Sequence, residues 1–373
     1  MKGTIRLGRI AGVVVRAHWS VLVIAALIAE ILADSILPAA VPGSPSSDYW
    51  EVGVVVCLLF LASLLAHELS HAVVARRHGL VVNGITLWML GGVTAIQGEA
   101  AEASTALRVA VVGPLVSLLC GGVSLGIGVG AAALGGSRLV TAGLVWLGVT
   151  NGVIAVFNLL PGAPLDGGRV LQAVLWRRSG DRYSATLTSS RAGRVFGLVL
   201  IVLGVTEVIA VGDLGGLWLA MIGWFVMQAA TTEAAMATVE HDLAGVLAED
   251  AMETDFASVA AWQTIASSAD TVAAATCDYC VVVGVQGELQ ALLPVDVLLA
   301  AAKARGELRI RDLAARFPPV RSCAARDDLA AAIPKAGTLP IAVLSEGRVV
   351  GVVTQASLRR RLRRDQRTAA RMG

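Results

Sequence analysis

The chain has 373 residues, of which 56% are hydrophobic and 16% charged, and its mean hydropathy is +0.73. Soluble domains carry roughly 25% charged residues. The shortfall and several unbroken apolar runs exclude an ordinary soluble protein and point to a polytopic α-helical membrane protein with room for one soluble module. A net charge of only +2 gives no electrostatic reason for a nucleic-acid partner.

A spanning helix needs about 20 mostly apolar residues. The first candidate runs from His18 to about Leu37, behind a basic N-terminus holding Lys2, Arg6, Arg9 and Arg16. No small-residue cleavage site follows it, so it reads as an uncleaved span. The second covers about 52–75 and exits at Arg76-Arg77. The stretch 85–96 is too short to span as a helix. Its paired apolar runs around Gly91-Gly92 predict a β-hairpin, tolerated at membrane depth only against protein or a wet cavity. Further spans are expected at about 106–134, 139–160, 195–211 and 217–235. The clusters Arg76-Arg77, Arg177 to Arg194 and the arginine-rich C-terminus fall on one side of this six-span arrangement. The positive-inside rule then puts both termini in the cytoplasm and the protein in the cell membrane.

From about residue 240 acidic residues appear and apolar runs shorten to strand length. Cys280–Val285 and Leu289–Leu293 flank a Gln286-Gly287-Glu288 turn before a helix at 294–301. The layout recurs about 60 residues later, where Pro340–Leu344 and Val349–Val353 flank Glu346-Gly347-Arg348 before a helix from Thr354. An internal repeat is one architecture used twice. The expected divisions are 1–238 for the membrane domain, 239–304 and 305–362 for the two copies, and 363–373 for a basic tail. Between Arg359 and Arg371 there are seven arginines, read as a solvated face with weak attraction to an anionic leaflet. Cys277-x-x-Cys280 has no second pair, so it reads as part of a strand.

The chemistry sits in the second span. His67 and His71, four apart on a helix, lie on one face and can reach one metal ion. Glu68 is offset by one residue, where the general base of a metal-assisted hydrolysis belongs. Histidine pairs in apolar spans also form interhelical hydrogen bonds. Three polar groups within five apolar-span residues nevertheless cost several kcal/mol uncompensated, and a metal compensates all three. A hydrolytic zinc site takes three protein ligands. Asp166 is the best third one, behind the break Pro161-Gly162-Ala163-Pro164. Its other reading is the N-cap of the following helix. Asp34 and Asp213 are weaker, being expected at the opposite face from Arg76. His18 and His78 are assigned to no metal. Asn158 has an amide suited to a developing oxyanion or to an interhelical hydrogen bond.

The motifs His67-Glu68-Leu69-Ser70-His71 and Asn158-Leu159-Leu160-Pro161-Gly162-Ala163-Pro164-Leu165-Asp166-Gly167-Gly168-Arg169 resemble those of the site-2 protease family of intramembrane zinc metalloproteases. The similar subgroup has six spans, a membrane-reentrant β-hairpin and a C-terminal α/β pair of cystathionine-β-synthase-type (CBS) domains. The resemblance implies zinc on His67, His71 and Asp166, water activation by Glu68 and intermediate stabilisation by Asn158. The hairpin would hold an unwound transmembrane substrate, and Gly113-Pro114 matches a third-span glycine signature. The resemblance further implies regulated intramembrane proteolysis, a homodimer through the CBS domains and an adenine nucleotide as their candidate ligand. Cys277-Asp278-Tyr279-Cys280 departs from the family pattern in the first copy. The competing expectation is a transporter or ion-handling protein gated by the CBS pair, which leaves the zinc motif unexplained.

Overall fold

A computed structural model describes residues 3–89, 91–97, 100–212, 214–305, 307–318, 320–333 and 340–361. The chain divides into two compact units, Met1–Ala235 and Met236–Gly373. The first opens with strands β1 (Thr4–Ile10) and β2 (Val13–His18), where the sequence suggested only a basic lead-in. The alternation Val13, Val15, Ala17 against Val14, Arg16, His18 is a two-residue period, and Val13 and Val15 are buried. Helix α1 (Ser20–Ile31), a π-helical turn at Leu32–Ile36 and α2 (Leu37–Ala40) form the first apolar stretch, displaced two to three residues from the expected 18–37.

Helix α3 (Ser46–Arg77) follows. Arg76 and Arg77 in its last turn complement the helix dipole, and Gly79, at φ +83°, lets the chain turn away. Strands β3 (Val81–Trp88) and β4 (Gly91–Gln97) make the hairpin, longer than the predicted 85–96. The sheet order is β1-β2-β3-β4, with β2 parallel to β3 and the other pairs antiparallel. Its inner face (Val13, Ile85, Leu87) packs on Ala72 and on Leu61, Leu65 and Leu69 of α3. The sheet therefore lies along the half of α3 that carries the histidines.

Helices α4 (Ala103–Ala133), α5 (Arg138–Asn158), α6 (Asp166–Ser179), α7 (Arg182–Val211) and α8 (Gly215–Leu243) complete the unit and run past its boundary. Small residues let these helices approach closely, as they do in lipid. A Cβ on Gly121 would stand 2.9 Å from the Gly148 carbonyl across α4 and α5, and one on Gly197 would stand 2.6 Å from the Gly223 carbonyl across α7 and α8. Among the described residues five helical stretches are long and apolar enough to cross a membrane: Ser20–Ala40, Ser46–Arg77, Ala103–Ala133, Arg138–Asn158 and Arg182–Val211. The last begins well before the expected 195. The stretch expected as a sixth span, 217–235, is helical within α8, but Trp218, Trp224, Gln228, Thr231, Thr232 and Glu233 dilute its apolar character.

The second unit holds the repeat. In the first copy β5 (Ser258–Ala260) precedes α10 (Ile265–Ala274), β6 (Tyr279–Val283), β7 (Leu289–Pro294) and α11 (Val295–Arg305). The second copy has β8 (Ser322–Ala324), α13 (Leu329–Ala332), β9 (Ile341–Ser345) and β10 (Arg348–Val353). Each sheet pairs its first strand parallel and its last antiparallel to the middle one. Packing does not follow chain order. The segment holding α9 (Ala248–Ala251) fills the core of the second copy, with Leu329, Val343 and Val353. Ile310, in α12 (Ile310–Ala314), fills the core of the first, with Ile265 and Leu293. A division between 304 and 305 thus separates Ile310 from the core it completes. The tail 363–373 and Asp213 lie outside the described residues.

Cys277 and Cys280 sit buried where the two copies meet and at the core of the first. Burial pushes both thiols up to about 12. At neutral pH fewer than about one in ten thousand is ionised, so neither is a ready nucleophile or metal ligand. In the folded protein near neutral pH both should resist a maleimide for hours and react promptly in denaturant, as peptide mass spectrometry would read. Rapid labelling of the native protein would instead show an accessible, reactive thiol.

Candidate metal centre

His67 and His71 project from one face of α3, one turn apart, with ring centroids 4.9 Å apart. Asp166 reaches them from the start of α6. It is that helix's first residue, Leu165 holds the cap position, and no side chain caps the helix. The capping reading of Asp166 therefore gives way to contact with the histidines. Its Oδ2 lies 3.2 Å from the Nε2 of His67 and 3.2 Å from that of His71. The two Nε2 atoms are 3.3 Å apart.

What brings Asp166 there is a glycine-lined break after α5. A Cβ on Gly193 of α7 would overlap the Ala163 carbonyl, and one on Gly162 would stand 2.7 Å from the Gly193 backbone. The Ala163 amide donates to the Ser189 carbonyl at 3.3 Å, and the Ser189 hydroxyl donates to the Gly168 carbonyl at 2.7 Å. The irregular segment is thus stitched to α7 on both sides of Asp166. Its peptide groups find partners inside protein, as buried backbone must.

Three groups on α4 complete the surroundings, at positions 109, 113 and 117, one helical stripe facing the histidine stripe of α3. His71 donates through Nδ1 to the Val109 carbonyl at 2.6 Å, which leaves Nε2 with its lone pair toward Asp166. The Nδ1 of His67 is 2.9 Å from the Ser117 hydroxyl, itself fully buried. Pro114 cannot donate to the Ala110 carbonyl, which loosens this turn of α4. Gly113 stands between. A Cβ there would lie 2.7 Å from His67 Nε2 and 2.6 Å from His71 Cε1. Val109, Ser117 and the packing role of Gly113 escaped the sequence reading. A serine one turn beyond a glycine in an apolar helix was the available signal for Ser117, whereas a backbone carbonyl leaves none.

The donor set fits zinc. Tetrahedral zinc takes nitrogen and oxygen ligands at about 2.0–2.2 Å, which sets neighbouring ligands about 3.3–3.6 Å apart. The three separations found here, 3.2, 3.2 and 3.3 Å, sit at the short end of that range. Among the described residues these three are the only His, Cys, Asp or Glu cluster of metal-binding geometry.

Glu68 reaches the hairpin. The Thr94 hydroxyl donates to Glu68 Oε2 at 2.8 Å, and a Cβ on Gly92 would stand 2.7 Å from Glu68 Cδ. Both residues are on β4, a link to the hairpin that no sequence motif announced. Asn158 ends α5 half-buried, and among the described residues its amide has no hydrogen-bond partner. It is not part of the trio. His18 lies 2.8 Å from the Ser20 hydroxyl, His78 lies 3.1 Å from Arg108, and Asp34 is exposed; none approaches the centre.

Helices long and apolar enough to span a membrane surround a two-histidine, one-aspartate centre with an adjacent glutamate, the donor set of a metallohydrolase. Residues 55–135 and 136–204 match Peptidase family M50. Rip3 of Mycobacterium tuberculosis is 50% identical over 255 residues, 68% of this chain, and the chain covers 64% of that relative's length. The site-2 protease of Methanocaldococcus jannaschii is a similar solved structure, at 26% identity over 62% of this chain and 95% of its own, with a TM-score of 0.42. A CBS domain-containing protein from Kribbella flavida is similar at 18% identity over 30% of this chain and 94% of its own, with a TM-score of 0.26. Over residues 55–204 the chain is thus similar to the M50, or site-2 protease, family, and relatives of this chain are named zinc metalloproteases.

Proposed function

We propose that the protein is an intramembrane zinc metalloprotease that cleaves a transmembrane segment of a membrane-tethered substrate. The observation that carries this reading is the His67–His71–Asp166 trio at zinc-ligand spacing, with Glu68 one residue from His67. His67 and His71 through Nε2, and Asp166 through Oδ2, would hold the ion. Bound zinc supplies a Lewis acid for the scissile carbonyl and lowers the pKa of water. Glu68 takes the proton of the attacking water and returns it to the leaving amine. Asn158 donates to the developing oxyanion.

A helical substrate hides its carbonyls in hydrogen bonds and has to unwind first. Among the described residues β4 ends its sheet, with β3 on one side only, so its free edge offers replacement backbone hydrogen bonds. Because β4 also carries Thr94 and Gly92, a strand added at that edge runs past Glu68. This supports a membrane-reentrant hairpin as the substrate platform.

The wider assignment follows the same reading. Residues 1–238 form a six-span protease domain with 217–235 as the last span, and both termini are cytoplasmic in the cell membrane. Residues 239–304 and 305–362 form a CBS pair with the chain exchange described above, followed by the basic tail 363–373. The repeated sheet topology supports the pair. The pair makes a homodimer and binds an adenine nucleotide that tunes regulated intramembrane proteolysis.

Purified protein should hold about one zinc per chain, lost in His67→Ala. In proteoliposomes with a panel of single-span reporter proteins, the parent should cleave within a span, and Glu68→Gln should be at least about 100-fold slower with its zinc retained. Equal rates for Glu68→Gln and parent would remove Glu68 as the base, and absence of zinc from the parent would remove the reading altogether.

A further inference from the structure

The N-terminal sheet carries a charge arrangement that the catalytic reading does not use. In the β1–β2 pair Arg6 stands directly opposite Arg16, and a bulge at Leu7 brings Arg9 opposite Val14. Side chains alternate between faces along a strand, so Arg16 and Val14 share a face while Val13 and Val15 point into the core. Without the bulge Arg9 would fall opposite Val13, on the buried face. One extra residue therefore puts Arg6, Arg9 and Arg16 on the same outer face. A Cβ on Gly84 of β3 would stand 3.0 Å from Arg16 Nη1, so that guanidinium reaches across the sheet.

Like charges directly opposite on neighbouring strands repel and weaken the pair. Among the described residues none of the three arginines has a salt-bridge or hydrogen-bond partner. An external anion on that face would offset the repulsion. The opposite face of the sheet packs on Leu61, Leu65, Leu69 and Ala72 of α3. With 32 residues α3 is about 48 Å long, against a hydrocarbon core of about 30 Å, so its last turn reaches the headgroup layer, and Arg76 there donates to the Ala11 carbonyl of the β1–β2 turn at 2.8 Å. Strand β2 enters the first apolar span through Trp19, 57% exposed, as expected of an interfacial tryptophan. On the edge strand Ile5, opposite Ala17 and so on the other face from Arg6, is 61% exposed, as is Leu7 at the bulge. Exposed apolar and cationic groups at the mouth of a span form the signature of a lipid interface.

We propose that the outer face of the β1–β2 sheet is an interaction surface for anionic phospholipids, with Arg6, Arg9 and Arg16 on headgroup phosphates. The surface holds the sheet, and through it the hairpin, at a fixed depth beside α3. It stands on the spanning helices alone and holds whether or not the centre hydrolyses peptides.

Native mass spectrometry of the full chain in detergent, titrated with phosphatidylglycerol or phosphatidylcholine, tests this. Each arginine near an anionic surface contributes about fivefold to affinity. Arg6→Gln/Arg9→Gln/Arg16→Gln should weaken phosphatidylglycerol binding about 100-fold and leave phosphatidylcholine unchanged, and the triple lysine variant should stay within a few-fold of the parent. Single Arg6→Gln, which relieves the facing pair and should fold at least as well, should show about a fivefold loss and covers the case of an unfolded triple variant. Unchanged phosphatidylglycerol binding in these glutamine variants would overturn the proposal. So would inorganic phosphate, or an acidic peptide, binding the parent at this face as tightly as the lipid does.

Discussion

Gly113→Ala is expected to empty the metal centre without touching a ligand. The added methyl would stand 2.7 Å from His67 Nε2 and 2.6 Å from His71 Cε1, well inside contact distance. Neither ring can swing aside. His71 is held from behind by the Val109 carbonyl and His67 by the Ser117 hydroxyl, both on the same helix as the methyl. Disturbing a single orienting partner of a metal ligand costs about 10–100-fold in affinity. Displacing two donors at once should exceed the upper end, so zinc affinity should fall at least about 100-fold, read as zinc lost on gel filtration. The helix itself should gain, because alanine is favoured over glycine by roughly 1 kcal/mol in a helix interior. Gly126→Ala in the same helix, where a Cβ meets nothing within 4 Å, is the control and should keep its zinc. A Gly113→Ala protein with a full complement of zinc would show that the trio does not hold the ion in this geometry.

The donors were legible because their chemistry is local. His67 and His71 share a helix face by spacing alone, and Glu68 follows from the same few residues. Asp166 was legible only through context: an acid behind a proline-glycine break needs a cavity, but nothing in its neighbourhood says which helix it meets. What holds the rings was not legible. Val109 acts through its backbone carbonyl, which every residue possesses, and Ser117 reads like any small residue in an apolar span. The strands β1 and β2 were missed because arginine clusters ahead of a span suggested topology, which masked the two-residue alternation of Val13 and Val15. The exchange of Ile310 and Ala248 between the two C-terminal copies is invisible to a linear division, since a short apolar segment carries no mark of the core it fills. Asn158 shows the opposite failing. Its motif is clear, yet among the described residues its amide makes no hydrogen bond to the donors, so its role rests on what a bound substrate would bring to it.

Thr94→Val should slow turnover about tenfold or more, while Thr94→Ser restores the parent rate. The valine is nearly isosteric, so the hairpin keeps its packing, and only the hydroxyl that donates to Glu68 Oε2 at 2.8 Å is lost. Without the donor the carboxylate becomes free to rotate, with one oxygen no longer tied and the other left beside Gly92. A hydrogen bond to a charged group is worth about 1.5–3 kcal/mol, and a base out of line loses most of the contribution expected from general base catalysis. Because Thr94 touches no donor of the trio, zinc content should be unchanged, and the loss should fall on kcat with KM preserved. Thr94→Ser is the decisive comparison, since it restores the donor without the methyl. If the serine variant were as slow as the valine one, Thr94 would matter for packing alone. If both turned over at the parent rate, β4 would serve the substrate strand only, and Glu68 would find its orientation elsewhere.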